Sequence, residues 1–335
     1  MLKVSTKRIK IAQNFLNVIS LENDNIQLEL LDIGATVYSL RTRDNNGKFE
    51  NIILQYADIE NYFNNPSYYG ASIGRVAGRI KDGEFILNNK KYSVSKNEKS
   101  INTLHGSFNN ISHQRFNYTI NQNKVKFSRI QKSSDDGFPA DVQIGITYEL
   151  QENSLIIYFE AIANEDTLLN LTNHNYYNLS GDFKATIENH KLQVSAKRVV
   201  ITDTNSIPKE IIKIPYEMDF SQESVIADKL ETNFEYFSGG GIDHCYIVDG
   251  AIKLTDEISG RKLVVTSSYP ATQIYTTNFP DGLKLSNGLN SQKFHAICFE
   301  PQFVPVIGEN YDNSDIKLKK GKQYKQFIKL EFCTG

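Results

Sequence analysis

The chain has 335 residues, of which 40% are hydrophobic and 23% charged, a composition typical of a globular protein and unlike a disordered or fibrous one. The 37 basic and 39 acidic residues give a formal charge of -2, which indicates neither a nucleic-acid-binding surface nor attraction to an anionic membrane. No apolar run approaches the roughly 18 residues that cross a bilayer, so we expect a cytoplasmic protein with no membrane partner.

Cysteine and aromatic content narrow the possible chemistry. Cys245, Cys298 and Cys333 are too few and too far apart for a disulfide scaffold, and no C-x-x-C motif is present for zinc or redox work. The chain has 18 Tyr and 19 Phe but no Trp. Any site that stacks a ligand on an aromatic face must therefore use Tyr or Phe.

In chain order, the first candidate element is a helix of about two turns over residues 57–64. Alternation with period two then predicts three hairpins, whose arms are 84–87 with 90–94, 116–120 with 125–128, and 141–150 with 155–163. A second short helix is predicted over 221–232, where a Ser precedes apolar residues at helical spacing. A last strand is predicted over 324–332, with alternate residues on one apolar face.

These elements predict an all-β fold. Antiparallel strands with one solvent-exposed face dominate, and the helices are few and short. No Pro/Gly/Ser-rich linker divides the chain, and no repeat of fixed period is present. We therefore expect a single domain over residues 1–335, built as a large antiparallel β-sandwich.

The first candidate site is the glycine-rich segment 69–83. Arg75 and Arg79 lie there among small and apolar residues, where a guanidinium needs a partner. The glycine spacing matches neither the dinucleotide-binding fingerprint nor the phosphate-binding loop. A bend with a structural salt bridge and a functional arginine are both compatible with this pattern.

Two histidines are candidates for ligand binding or catalysis. His105 precedes Gly106 at a predicted turn, where a lone histidine is more often structural than catalytic. His174 lies among three Asn and two Tyr in the segment 171–179. This density of neutral hydrogen-bonding groups suits a ligand rich in hydroxyls, although a polar network between strands would give the same pattern.

Acidic candidates lie near the ends of predicted strands. Glu300 closes an apolar strand, so burial should raise its pKa, and Pro301 should end the ladder; the alternative is a carboxylate in solvent. Asp243 is followed by His244 and Cys245. Those two neighbours point to opposite faces of a strand and cannot both bind one metal ion.

Each motif is a weak signal alone, but the order of the motifs along the chain and the residues within each motif are together specific. Six blocks resemble the aldose 1-epimerase (galactose mutarotase) family: Gly74-Arg75-Val76-Ala77-x-Arg79-Ile80, Leu104-His105-Gly106, Leu171-Thr172-Asn173-His174-x-Tyr176-x-Asn178-Leu179, Asp243-His244, Gln273-x-Tyr275-Thr276-x-Asn278-Phe279 and Glu300-x-Gln302. The resemblance runs in order from about Asp32 to the C-terminus.

The resemblance implies a galactose mutarotase-like supersandwich that interconverts the α and β anomers of free aldoses without cofactor or metal. It implies that Glu300 is the base that takes the proton of the anomeric hydroxyl and that His174 is the acid that protonates the ring oxygen. Ring opening needs paired proton transfer and no nucleophile. We expect the carboxylate and the imidazolium to lie on opposite sides of the sugar ring.

The same resemblance implies the groups that hold the sugar. Arg79 and His105 match residues near the ring oxygen and neighbouring hydroxyls, and His105 could share the acid role. Asp243 and Gln273 match polar sugar contacts. Phe279 is expected to form an apolar wall, and Tyr176 with Tyr177 are further stacking candidates.

The chain departs from the family pattern at two places. Gly78 stands where the family commonly has Asn, so one hydrogen bond to the sugar is either missing or supplied by Asn102, Asn173 or Asn175. After Gln302 the family's Pro-Asp-Ala-x-Asn type of segment is replaced over 303–310. Both departures concern sugar preference more than the reaction.

The implied partner is a small free aldose such as galactose or glucose, bound by a monomer or a weak homodimer. The alternatives are a non-catalytic sugar-binding or sensing protein on the same fold and an epimerase for a modified or phosphorylated sugar. The phosphorylated substrate would require an extra basic cluster beside the pocket. A glycoside hydrolase is disfavoured because it would need a second carboxylate astride the bond, and Asp243 would have to supply it.

Overall fold

A computed structural model describes residues 2–230, 235, 237–305 and 313–335, and most of their ordered structure is β-strand. The first fourteen strands in chain order are β1 (Lys3–Ile11), β2 (Asn14–Glu22), β3 (Ile26–Leu31), β4 (Thr36–Arg43), β5 (Phe49–Asn51), β6 (Ser72–Ile73), β7 (Arg79–Ile80), β8 (Glu84–Leu87), β9 (Lys90–Ser93), β10 (Thr103–Leu104), β11 (Asn117–Asn121), β12 (Lys124–Gln131), β13 (Val142–Leu150) and β14 (Ser154–Ala163). The next twelve are β15 (Thr167–Leu168), β16 (Thr172–Asn173), β17 (Tyr176–Tyr177), β18 (Lys191–Thr202), β19 (Pro208–Lys213), β20 (Ser224–Val225), β21 (Asp243–Thr255), β22 (Arg261–Ser267), β23 (Ala271–Tyr275), β24 (Ile297–Gln302), β25 (Lys317–Leu318) and β26 (Gln323–Thr334).

Helices are short throughout the described ranges. The α-helices there are α1 (Ser133–Asp136) and α2 (Ile226–Leu230). Single 3-10 turns occupy Ile59–Phe63, Lys81–Gly83, Ile111–His113, Ile187–Asn189, Tyr216–Met218, Ser238–Gly240 and Asn313–Ile316. None of the helices in the described part of the chain has the length and apolarity needed to span a membrane.

Two antiparallel sheets account for most of the strands. The smaller has the order β1-β2-β3-β4-β5. The larger has the order β11-β12-β13-β14-β26-β22-β21-β23-β24-β17, and β18 pairs with β21 and carries β19 and β20. The last strand in sequence, β26, therefore lies between β14 and β22 and joins the two halves of the large sheet. The expected all-β antiparallel architecture is confirmed.

The main core forms between the buried faces of the two sheets. Leu28 and Leu40 of the small sheet belong to the same apolar cluster as Phe127, Phe159 and Leu330 of the large one. Each of these side chains is at most 1% exposed. Burying a side chain of this size contributes about 1.5–3 kcal/mol, so the period-two pattern fixes which face of each strand turns inward.

The three predicted hairpins are confirmed, with strand ends that differ from the prediction by at most three residues. They are β8–β9, β11–β12 and β13–β14. In the first, Asn88 and Asn89 both have positive φ (52° and 60°), the conformation that a two-residue turn requires and that Asn tolerates. The last predicted strand is also confirmed as β26, where Tyr324 and Ile328 are buried.

Both helix predictions need correction. Residues 57–64 contain a 3-10 turn over Ile59–Phe63 and no α-helix, because the N–H groups of Asn61 and Asn64 donate to carbonyls three residues back. In the second segment Ser224–Val225 pairs with β18, and the α-helix that the structure describes there is Ile226–Leu230. The pairing with β18 holds residues 224–225 extended, so Ser221 does not cap a helix. Residues 231 and 232 of that prediction lie outside the described residues.

Arg75 has the structural role that the sequence left as one of two alternatives. Its side chain is fully buried, and its Nε donates to Asp136 Oδ2 at 2.8 Å. Its Nη1 donates to the carbonyls of Pro139 and Ala140, and Nη2 to that of Gln131. Arg75 thus ties the glycine-rich bend to the loop after β12 and does not line the cleft described below.

We predict that Asp136→Asn costs about 3–5 kcal/mol of unfolding free energy, because it leaves the Arg75 guanidinium buried without its counter-charge. Urea denaturation measures this. The matched control is Asp135→Asn, whose partly exposed carboxylate pairs with Arg129 at 3.1 Å and should cost less than about 1 kcal/mol. Equal losses for the two variants would contradict a special role for the buried pair.

Candidate active site

A cleft of about 520 Å³ lies against one face of strands β21, β23 and β24. Strand register sets its floor: Glu300 is opposite Gln273, and Gln273 is opposite Cys245. The neighbouring row, two residues along each strand, contains Asp243 opposite Tyr275. All five residues line the cleft, because residues two apart on a strand share a face.

Glu300 lies in surroundings that disfavour a charged carboxylate. Its side chain is in β24, whose six residues are all buried, and it is 2% exposed. Burial, with a further contribution from the charge of Asp243, raises the pKa of Glu300 well above its ordinary value, although the Arg79 charge opposes this. Its Oε2 has no hydrogen-bond partner among the described residues. The predicted rise in pKa is confirmed, and an unpaired oxygen is left for a ligand.

Pro301 does not end the ladder as expected. It lies inside β24, opposite Thr272, and the strand continues to Gln302. On its other side β24 pairs with β17 only through Ile297 and Cys298. A proline is tolerated at this point because that edge of the strand requires no N–H donor there.

His174 is held in the short connection between β16 and β17. Its N–H donates to Ala71 O at 2.9 Å, and its carbonyl accepts from Gly70 N at 3.0 Å. Its ring stacks on that of Tyr176, with centroids 5.0 Å apart and an interplanar angle of 23°. Burial lowers the pKa of His174 to about 4, so the imidazole is neutral in the free site near pH 7.

The two predicted catalytic groups face each other directly. His174 Nε2 lies 3.4 Å from Glu300 Oε1. A sugar ring does not fit between atoms this close, so the expectation that the acid and base lie on opposite sides of the ring is wrong. The anomeric hydroxyl and the ring oxygen are bonded to the same carbon, and an acid and a base that serve them must be neighbours.

His105 completes a cluster of three buried groups. Its backbone follows β10, which pairs with β7, and its N–H donates to the Gly78 carbonyl at 3.0 Å. Ligand atoms of His105, His174 and Glu300 all lie within 4.8 Å of one another. Two imidazoles and a carboxylate are a donor set that could hold a divalent ion, although an ion there would occupy the proposed acid and base. The expectation of a metal-free site stays a prediction.

Arg79 lies in the cleft between two carboxylates. Its Nε is 2.9 and 3.0 Å from the two Glu98 oxygens, and its Nη2 is 2.8 Å from Oε1. Its Nη1 is 4.0 Å from Asp243 Oδ2, and Asp243 Oδ1 accepts from Gln273 Nε2 at 2.7 Å. Burial raises the pKa of Asp243, while Arg79 and the Gln273 hydrogen bond partly offset this. The predicted polar contacts therefore form one connected chain of groups.

The aromatic side chains that line the cleft are all Tyr or Phe, since the chain has no Trp. Tyr68, Tyr176 and Tyr275 form its inner surface, whereas Phe279 is 61% exposed and lies at the rim. Tyr177 is not part of the cleft: its ring stacks on Phe299 in the main core, with centroids 5.9 Å apart. Adjacent strand residues face opposite ways, so the stacking role predicted for Tyr177 is wrong.

Some residues of the cleft were not identified from the sequence. Glu98 is 19 positions from Arg79 and lies in a polar loop, where no local pattern marks it. Tyr68 faces His105 edge-on at 4.9 Å, and residues around Ser206 between β18 and β19 form the far wall. The sequence marks Tyr68 only by its position next to the glycine-rich segment, which is too weak a signal to predict a cleft residue.

The proposed substitutes for the family's Asn at position 78 do not reach the cleft. Asn173 donates to the carbonyl of Gly70 at 2.9 Å, and Asn175 donates to the Tyr177 hydroxyl at 3.1 Å. Asn102 is used to accept from the N–H of Asp82 at 3.2 Å. Gly78 itself lines the cleft, and its nearest neighbour in the Cβ direction is Pro305 at 3.8 Å. The cleft is therefore wider at this point.

Known proteins resemble this chain over most of its length. A family model described as aldose 1-epimerase matches residues 17–331. Galactose mutarotase of Homo sapiens is 31% identical over 314 residues, covering 88% of this chain and 91% of the human protein. Aldose 1-epimerase of Streptococcus thermophilus is 32% identical and covers 100% of this chain and 99% of its own. The solved structure of an aldose epimerase homologue from C. elegans has a TM-score of 0.87 at 28% identity, covering 98% and 99% of the two chains.

We predict that Glu98→Ala weakens ligand binding more than it slows turnover. The substitution removes the fork of hydrogen bonds that fixes Arg79 Nε and Nη2, so the guanidinium must be ordered by the ligand itself. We expect KM for an aldose to rise about tenfold while kcat changes less than about threefold. Glu98→Asp is the conservative control. A fall in kcat at constant KM would contradict a binding role.

Proposed function

The chain belongs to the aldose 1-epimerase family and is an isomerase, and we propose that it interconverts the α and β anomers of free aldoses such as galactose and glucose at this cleft. One observation carries the proposal. A buried carboxylate and a buried imidazole face each other at 3.4 Å and open into a cleft lined by hydrogen-bonding groups, among them Gln273 and the Arg79–Asp243 pair. Such a pair can move two protons on adjacent oxygens in a single event.

The reaction opens and closes the sugar ring. Glu300 takes the proton of the anomeric hydroxyl while His174 gives a proton to the ring oxygen, and the bond between C1 and that oxygen breaks. The aldehyde then turns about the C1–C2 bond. In closure His174 takes back its proton and Glu300 returns its own, so the enzyme is regenerated without a cofactor.

The state of the pair in the free site bears on the first step. Burial lowers the pKa of His174 to about 4 and raises that of Glu300 well above its ordinary value, so burial favours the state in which the proton is on Glu300 and the imidazole is neutral. Ring opening needs that proton on His174. The Arg79 charge, together with sugar hydroxyls that hydrogen-bond to Glu300, favours the carboxylate, and the 3.4 Å separation lets the proton pass to Nε2. After ring opening the pair is neutral again and ready for closure.

The remaining polar groups hold the sugar. Asp243 and Gln273 are adjacent on the cleft floor and present an acceptor and an amide to hydroxyls. Arg79 and His105 line the cleft beside the catalytic pair, and in this proposal they contact the ring oxygen and its neighbouring hydroxyls. Phe279 at the rim offers an apolar face to the C–H side of the ring.

The charge of the cleft disfavours the phosphorylated-sugar alternative. Arg79 is already engaged by Glu98 and approached by Asp243, and Arg75 is buried elsewhere against Asp136. A phosphate at Arg79 would have to displace these carboxylates, and the residues that line the cleft include one further Lys or Arg, Lys99. The sensor alternative leaves the close pairing of Glu300 with His174 without a purpose, because binding alone needs no matched acid and base.

The proposal also covers the domain organisation, the location and the oligomeric state of the protein. We take residues 1–335 to be one catalytic domain that acts in the cytoplasm on a small free sugar, as a monomer or a weak homodimer. A neutral substrate fits the formal charge of -2, which provides no strong field for a charged partner.

Polarimetry on freshly dissolved α-D-glucose and α-D-galactose tests the function. We predict that wild type accelerates the change in rotation and that Glu300→Gln and His174→Asn each lower kcat by about 10²–10⁴-fold. Both replacements keep the shape of the side chain. If both variants relax the rotation as fast as wild type, the acid–base assignment is wrong. Tight binding of an aldose by an inactive wild type would favour the sensor.

The pH dependence of kcat/KM tests the protonation of the pair. The pair is active with one proton, because with two there is no base and with none there is no acid. Since burial lowers the pKa of His174 to about 4, we expect activity to persist down to about pH 5 and to fall below it. The alkaline limb should follow the raised pKa of Glu300. An acid limb near the ordinary histidine value of about 6.5 would contradict this.

Chelation tests the metal-free mechanism. We predict that dialysis against EDTA leaves the rate unchanged, because proton transfer between Glu300, His174 and the sugar requires no ion. Added Zn²⁺ should instead inhibit, since it can take the cluster of His105, His174 and Glu300 as ligands. Loss of activity on chelation, restored by a metal, would overturn the metal-free mechanism.

A further inference from the structure

The second nitrogen of the His174 ring has a side-chain partner to which no role has yet been given. Nε2 faces Glu300, and Nδ1 lies 3.6 Å from the sulfur of Cys298. Cys298 is fully buried and is a free thiol. The imidazole is therefore placed between a carboxyl group on one side and a thiol on the other.

Backbone register fixes the thiol in this position. Cys298 and Glu300 are two residues apart on β24 and share a face. Cys298 is opposite Tyr275 on β23 and opposite Tyr176 on β17. Because the Tyr176 ring also stacks on His174, a single strand pair sets both the plane of the imidazole and the atom that meets its Nδ1.

The thiol matches the hydrogen bonding that the proposed reaction needs. When Glu300 holds the shared proton, its Oε1 lies 3.4 Å from Nε2, and the carboxyl O–H faces an acceptor there only if the ring proton is on Nδ1. When His174 holds the shared proton, both ring nitrogens carry hydrogen. In both states Nδ1–H donates, and the sulfur of Cys298 is the acceptor placed to receive it.

We propose that Cys298 is a positioning residue for His174: its sulfur accepts a hydrogen bond from Nδ1–H and so leaves Nε2 as the atom that exchanges a proton with the sugar. This role rests on the proposed function of His174 as the acid. Cys298 is not among the residues that line the cleft, and it acts through the orientation and tautomer of the imidazole.

A sulfur has a further consequence that a carboxylate in the same place would not have. A carboxylate on Nδ1 stabilises the imidazolium and makes it a weaker acid. Burial, assisted by the charges of Glu300 and Asp243, raises the pKa of Cys298, so the thiol stays neutral. A neutral, weak acceptor orients the ring and leaves the protonated imidazole ready to give its proton to the ring oxygen.

The tautomer of His174 tests the proposal without reference to activity. The protein has six histidines, so ¹⁵N-histidine labelling gives a countable set of ring signals, and the His174→Asn spectrum identifies those of His174. In the neutral wild type we expect the Nδ1–H tautomer. A dominant Nε2–H tautomer would overturn the proposal, and this measurement needs no Cys298 variant to fold.

Variants test the consequence for catalysis. Cys298→Ala removes the acceptor, and we expect mixed tautomers of His174 and a kcat about 10–100-fold lower with KM within about twofold of wild type. Cys298→Ser supplies an oxygen acceptor and should restore the tautomer and most of kcat. The exposed Cys333→Ala is the control for loss of a thiol and should match wild type.

The outcomes separate this proposal from the proposed function. An Ala variant with the wild-type tautomer and wild-type kcat overturns the role of Cys298, as does equal loss of kcat in the Ala and Ser variants. If wild type does not accelerate mutarotation, or if His174→Asn is as fast as wild type, the proposed function fails. The ¹⁵N spectra would then still decide whether the sulfur holds Nδ1.

Discussion

The burial of a carboxyl group directly beside an imidazole is the constraint on which the site depends. Removing either charge from water is costly, so each group alone would be driven to its neutral form. Placed 3.4 Å apart, Glu300 and His174 can share one proton and exchange it without either charge standing alone. The same burial that lowers the pKa of His174 also makes its protonated form a strong acid once the sugar has excluded water.

Acidic neighbours moderate the positive charge beside this pair. Arg79 would be a strong cation beside the pair, but Glu98 and Asp243 flank it. Asp243 in turn is held by Gln273 across the strands. The contact between Asp243 and Gln273 joins neighbouring strands, so the register of β21, β23 and β24 sets the cleft floor, whereas Arg79 and Glu98 reach the cleft from outside the large sheet.

Local pattern was sufficient for much of the fold and for part of the site. The hairpins follow from alternation and from Asn pairs such as Asn88–Asn89, because those signals are contained in a few neighbouring residues. Glu300 was recognisable because a carboxylate in an apolar strand is unusual. Residues 224–225 could not be predicted as strand, because their pairing with β18 is a contact over some thirty positions.

The arrangement of the site could not be predicted from local sequence patterns, because it too depends on contacts between residues far apart in the chain. Glu98 was not predicted because its role is to bind the Arg79 guanidinium. No motif at either position indicates that the two residues are paired. The resemblance assigned acid and base but not their separation, and the expectation of opposite faces was wrong. Tyr176 and Tyr177 are the same residue type at adjacent positions. Only the face of the strand on which each lies makes Tyr176 a cleft residue and Tyr177 a core residue.

The position of β26 has a consequence for how the molecule is made. This strand is the last in sequence, yet it lies in the middle of the large sheet, between β14 and β22. While the chain is being synthesised, the β11–β14 half and the half that bears the cleft have no shared ladder until residues 323–334 leave the ribosome. Before that point two long strand edges are unpaired at once, and these are the surfaces that a nascent chain must keep from other proteins.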